Sequence, residues 1–146
     1  MLVKELNINQ NEAVVHIETP YDKEIGELSN KLNDTYIGYG SKGKAKKQRQ
    51  MIQDSNASSY GSANTAQRAM SKSSAAYKNS SWDLIDAVEE EAVDMEEIEE
   101  DALPEEMKKM DKDERKVFVE TKAKERKEVQ AKIQELSKKR REYEAA

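Results

Sequence analysis

The sequence predicts a mainly α-helical chain, and three observations carry that prediction. Apolar residues recur at spacings of three and four in Ile25, Leu28 and Leu32, and again in Trp82, Ile85 and Val88, the period of helices with one buried stripe. From Lys112 to Glu144 no Gly or Pro interrupts the chain, and Asp111-Lys112-Asp113-Glu114 at its head has the form of a capping box. One Phe, one Trp and few β-branched clusters leave little from which to build a sheet.

Composition sets the size of the core. A globular domain is about 45–50% apolar and 25% charged, whereas this chain is 36% and 38%. Much of it is therefore expected to be solvated helix or flexible connection. The absence of Cys excludes disulfides, thiolate metal sites and cysteine nucleophiles, and leaves the compartment unread. The opening residues lack the apolar core of a signal peptide, and no run approaches a membrane span, so a soluble chain is expected. The net charge of −5 hides a sorting. Residues 1–80 hold 11 cations and 8 anions, residues 81–107 hold 13 anions and no cation, and residues 108–146 hold 14 cations and 9 anions. Acidic and basic segments so arranged attract each other or a partner, at a strength that salt weakens.

In chain order, residues 1–40 are expected to form a strand-helix junction. Leu6, Ile8, Val14, Val15 and Ile17 alternate loosely, as in one or two short strands. Thr19-Pro20 then opens a helix, with Thr19 as cap, Pro20 at the first helical position and Asp22 where the helix dipole favours negative charge. Ile25, Leu28 and Leu32 form its buried stripe, Asn33-Asp34 breaks it, and TYIGYG leads away. Residues 41–80, rich in Ser, Ala and Lys, hold few large aliphatics, so only short, frayed helices over Lys44–Gln53 and Ala63–Met70 are expected within a flexible connector. Residues 81–146 form the charged helical region. Ser80 caps a helix bearing Trp82, Ile85 and Val88, Asp94 caps again, Leu103-Pro104 restarts a short helix, and a charged helix of about 32 residues closes the chain, near 48 Å long. Along it Val129, Ile133 and Leu136 keep a 4-3 spacing, but Lys122, Arg126 and Arg140 share the seam, which makes a short zipper.

The residues spell no catalytic constellation. His16 stands alone, without a second ligand or a nucleophile beside it. The acidic run Glu89–Glu106 lacks the order of a calcium loop, and helical periodicity spreads its carboxylates round the axis. Asp54-Ser55-Asn56-Ala57-Ser58 approximates the D-x-S-x-S of adhesion-type cation sites, but QRQMIQ precedes it instead of an apolar strand. Basic groups at Lys42–Arg49 and Lys138–Arg141 sit in a chain of pI near 5.2, so pairing with acidic segments is expected in place of nucleic-acid contact. No cofactor and no metal ligand is expected.

The block HIETPYDKEIGELSNKLNDTYIGYGSKGKA, followed by SSWDLIDAVEE, DALPEEMKKM and ERKEVQAKIQELSKKRREY, resembles the C-terminal region of bacterial von Willebrand factor type A (VWA) domain-containing proteins. The likeness runs from about Leu6 to Tyr143 and rests on the order of the blocks. In such proteins an α/β domain with a metal-ion-dependent adhesion site precedes a TPYDKE-type segment. The strand bearing D-x-S-x-S and the downstream ligands are absent here, so the resemblance implies no metal ligand at any position, and it implies an extracytoplasmic setting.

The expected function is a non-enzymatic protein–protein interaction or scaffolding extension. Ile25, Leu28 and Leu32 are expected to dock on a partner or on the missing VWA domain. Trp82, Ile85 and Val88 are expected to pack as one small cluster against Val129, Ile133 and Leu136. The second expectation is a self-associating coiled-coil adaptor, weakly homo-oligomeric and independent of any adhesion domain.

Overall fold

The computed structural model describes residues 17–146, so His16 and the strands expected before Ile17 lie outside the described residues. Thr19 fastens the start of the first helix, α1 (Asp22–Asn33). Its N–H and hydroxyl donate to the Asp22 carboxylate at 3.0 and 2.6 Å, and its hydroxyl oxygen accepts from the Tyr21 N–H at 3.3 Å. The turn leads into the helix from the Thr19 expected as its cap, but the residue at the N-cap position is Tyr21, which has no side-chain cap. After the expected break at Asn33 the chain runs extended to Gly40. There Tyr39 N–H donates to the Trp82 carbonyl at 2.9 Å and Leu84 N–H to the Ile37 carbonyl at 2.8 Å, an isolated antiparallel bridge of Gly38 with Asp83. Gly38 is required: a Cβ there would lie 2.6 Å from the Gly43 carbonyl oxygen.

In residues 41–80 the helices expected over Lys44–Gln53 and Ala63–Met70 are present and longer, as α2 (Gly43–Ser59) and α3 (Ser62–Lys72). Large aliphatics are not what anchors them. Ala63, Ala66 and Ala69 form a buried stripe, and their small side chains let α3 lie close against α1, where a Cβ on Gly26 would meet Thr65 Cγ2 at 3.2 Å.

Asp83, not Ser80, caps the next helix, α4 (Leu84–Glu89), by accepting from the Asp86 N–H at 3.0 Å. It ends in a Schellman motif. Ala92 N–H donates to the Ala87 carbonyl at 2.8 Å and Glu91 N–H to the Val88 carbonyl at 3.1 Å, with Glu91 left-handed at φ 60°. Asp94 accepts from the Glu96 N–H at 2.9 Å but starts a turn, not the expected helix. A 3-10 turn at Glu100–Ala102 and α5 (Glu105–Lys108) follow. The Asp111–Glu114 capping box is present as expected and opens α6 (Lys112–Ala145), 34 residues and about 51 Å long.

Helix α6 carries both hydrophobic clusters. Ile133 and Leu136 pack with α1, with the alanines of α3 and with Trp82, while Val119 packs with Ile37, Leu84, Ile85, Met95, Leu103 and Met107. Two expectations change accordingly. Trp82, Ile85 and Val88 do not form one cluster: the turn capped by Asp83 sends Trp82 to Tyr36, ring centroids 5.8 Å apart, and to Ile133, with Val129 at the margin, whereas Ile85 and Val88 join the second cluster. Ile25, Leu28 and Leu32 await no external cover. They are 0%, 6% and 0% exposed, covered by α3 and α6 of their own chain.

Buried ions join the two clusters. Val119, Arg126, Ile133 and Arg140 recur every seven residues along α6 and are 4%, 3%, 0% and 1% exposed. All five N–H donors of Arg126 are used. Nε donates to Thr35 Oγ1 at 3.0 Å, Nη1 to Asp83 Oδ2 at 2.7 Å and Asp86 Oδ1 at 3.0 Å, and Nη2 to the Thr35 carbonyl at 2.7 Å and Asp83 Oδ1 at 3.1 Å. The guanidinium also lies 3.8 Å from the Tyr36 ring centroid. About four turns on, Arg140 bonds Asp22 at 2.8 Å, the Ile17 carbonyl at 2.7 Å and Glu144 at 3.2 Å, tying the start of α1 to the end of α6.

The left-handed Glu91 sets a stability test. A β-carbon in this conformation costs about 1 kcal/mol or more relative to glycine. Glu91→Gly is expected to raise the unfolding free energy by up to about 1 kcal/mol in urea titration, the strain relieved being partly offset by the freer unfolded chain.

Candidate interaction surface

One surface open to a partner is built on the first three turns of α6 and the acidic segment beside it. Of the 13 carboxylates in residues 81–107, only Asp83 and Asp86 are buried; the rest are exposed. Several reach α6: Glu100 meets Arg115 at 3.4 Å, Glu96 meets Lys116 at 3.9 Å and Glu89 meets Lys127 at 3.4 Å. The attraction anticipated between acidic and basic segments thus operates within the chain. Exposed pairs of this kind contribute little each. They orient the segment, and the second hydrophobic cluster holds it.

Two apolar openings flank α6 here. On one side, Met110, Val117, Phe118 and Thr121 line a shallow depression of about 450 Å³ with Asp113 and Glu114 at its edge. Val117 is 61% exposed, and the Lys122 ammonium sits 5.6 Å from the Phe118 ring centroid. On another face, a groove of about 440 Å³ runs between α6 and residues 88–95, with Val88, Val93, Met95 and Val119 as its apolar lining.

None of the residues singled out in the sequence for partner packing lines the strip. Ile25, Leu28, Leu32, Trp82, Ile85, Ile133 and Leu136 are core, Val129 flanks the first cluster, and Val88 alone reaches the groove. Val117 and Phe118 were legible as apolar residues on a charged helix, but they lie outside the 4-3 seam that drew notice. Arg126 and Arg140, read from the sequence as polar members of the seam, are buried ions, a role signalled by their seven-residue spacing with Val119 and Ile133.

The resemblance of Asp54–Ser58 to a cation site ends in an ion cluster of another kind. The Asp54 carboxylate accepts from Asn33 Nδ2 at 2.7 Å, from Arg68 Nε at 2.8 Å and from the buried Lys72 ammonium. It is committed to joining α1, α2 and α3. Burial alone would raise its pKa, but the hydrogen bond and charge of Lys72, with Asn33 and Arg68, outweigh that and hold the carboxyl below its ordinary 3.8. Lys72 is pulled the opposite way: burial lowers it from 10.5, against the pull of Asp54. Around Arg126, burial opposes the charge, but the Asp83 hydrogen bond and charge prevail and raise the guanidinium. Asp86 shares that cation without being its main counter-ion, and burial pushes its carboxyl up. These are structural ion pairs; their donors and acceptors are spent on one another.

Among the described residues, no three His, Asp or Glu side chains are placed to hold a metal ion, and no helix is long and apolar enough to cross a membrane. The chain matches no protein-family model, no curated protein and no solved structure, so no relative assigns a role to this surface.

Asp54 gives the pH dependence. Its folded pKa lies below its unfolded one, so its contribution is complete above about pH 4 and is lost as pH falls through the folded value. Asp54→Asn removes that titration. Its urea midpoint is expected to fall below the wild type at pH 6, and the gap between them to narrow at pH near 2–3.

Proposed function

We propose that this chain is a non-enzymatic protein–protein interaction or scaffolding module, the helical C-terminal extension of a VWA-type protein. One observation supports the interaction part most directly. Val117, at 61% exposure, adjoins half-buried Phe118 near the start of α6 and half-buried Met110 just before it. A contiguous exposed apolar patch on a polar chain marks an interface more often than a scattered one does. The extension part rests on the ordered sequence blocks from TPYDKE to the basic final helix.

The self-associating coiled coil is less favoured. Ile133 and Leu136, which its seam would need, are packed against Trp82 and α1. Nucleic acid is a poor match for a chain of pI near 5.2 whose exposed centre is acidic.

The test takes the reading frame upstream of Met1 and the domain it encodes. The proposal expects a D-x-S-x-S-bearing domain that binds this chain in calorimetry, with Val117→Glu weakening the affinity about tenfold or more, or 1.4 kcal/mol. A frame without such a domain removes the VWA assignment. Equal binding by both proteins removes the Val117 strip as the docking surface.

A further inference from the structure

The groove between α6 and residues 88–95 is a second opening, separate from the Val117 strip. Val119, in its lining, lies about 200° round α6 from Val117. Its volume of about 440 Å³ falls within the range of sites that seat ligand or peptide side chains. The lining is apolar through Val88, Val93, Met95 and Val119, and the rim is acidic through Glu91, Asp94 and Glu120. The single rim cation, Lys116, is already turned to Glu96 at 3.9 Å. Glu90 and Glu97 on the adjoining surface have no ion-pair partner among the described residues.

We propose that this groove is a docking site for a basic amphipathic helix of a partner protein, its apolar stripe seated on Val88, Val93 and Val119 and its flanking Lys or Arg residues facing Glu91, Asp94 and Glu120. Charge complementarity selects the occupant. An acidic or neutral helix would bring no counter-charge to the rim, and like charges across an interface cost several kcal/mol. A helix is the element that suits a groove bounded on one side by another helix, because residues at i, i+3, i+4 and i+7 place anchors along one line. Charge at the rim would steer the approach, and the apolar floor would hold the complex once formed. The proposal goes beyond the Val117 reading and stands or falls separately from it.

The probe is a synthetic peptide of about 18 residues made only of Leu and Lys, with Leu at helical spacing. It is titrated against the full chain by NMR amide shifts. Two controls share its length: a shuffled peptide of the same composition without an apolar stripe, and a version with Glu in place of Lys. The expected result is saturable binding whose shifts centre on residues 88–95 and 116–120. Affinity should drop about tenfold or more for the shuffled peptide, for the Glu peptide, for Val93→Asp and for the double variant Glu91→Lys/Glu120→Lys. Both rim positions are exposed, so the double variant keeps the test valid if Val93→Asp disturbs folding. Val117→Glu should leave the affinity unchanged. Equal binding of the ordered and shuffled peptides would reduce the effect to general charge attraction and overturn the site. So would indifference to the rim reversal, or loss of binding with Val117→Glu alone, which would place the peptide on the other face.

Discussion

The structure depends on one side chain, Arg126. Projecting from the middle of α6, its guanidinium occupies the point where the exit from α1 and the cap of α4 meet, and it binds both with five hydrogen bonds. Without it the carboxylates of Asp83 and Asp86 would be buried with no counter-charge. Asp83 is the centre of the arrangement: its Oδ1 accepts from the Ile37 N–H at 2.9 Å, its Oδ2 caps α4, and both bond Arg126. One ion pair therefore fixes the angle at which the acidic half leaves the N-terminal half. A buried pair is weak evidence of net stability, since desolvation consumes much of the attraction. It is strong evidence of specificity here, because no apolar substitute would satisfy the Thr35 carbonyl, the α4 cap and the two carboxylates together.

Much of this was legible in the residues, and what was not has a physical reason. The Thr19–Asp22 turn ahead of α1, the cap at Asp111, the break at Asn33 and the long final helix follow from local chemistry, which acts over three or four residues and is written in adjacent letters. The packing of residues 41–80 was hidden because it depends on the smallness of Ala63, Ala66 and Ala69, whereas burial is usually read from large side chains. The partners of Ile25, Leu28 and Leu32 lie 30 to more than 100 positions away, and no local pattern names them. Arg126 and Arg140 look like interruptions of a zipper when the seam is read for apolarity alone. Read at intervals of seven, Val119, Arg126, Ile133 and Arg140 form one continuous buried line in which ions alternate with apolar anchors.

That line also explains where a partner can bind. The C-terminal two-thirds of α6 spends its inward face on α1, α3 and the two arginines, leaving charged residues outward. Its first turns have more apolar surface than the thin acidic segment can cover, so the Val117 strip and the groove beside Val119 remain open. The second hydrophobic cluster holds the acidic segment on α6, exposed pairs orient it, and the unpaired carboxylates give the open end its sign. A helix packed along its length by two clusters and presenting an acid-rimmed apolar surface at its start is a geometry suited to holding a partner at a fixed position.

The measurement that tests the account most directly is urea unfolding of Arg126→Leu, followed by the fluorescence of the single Trp82, which packs beside the network. Leucine fills much of the space and leaves Asp83 and Asp86 buried without their cation. The account predicts a loss of about 3–5 kcal/mol relative to the wild type at neutral pH. A loss of less than about 1 kcal/mol, the scale of an exposed ion pair, would contradict it.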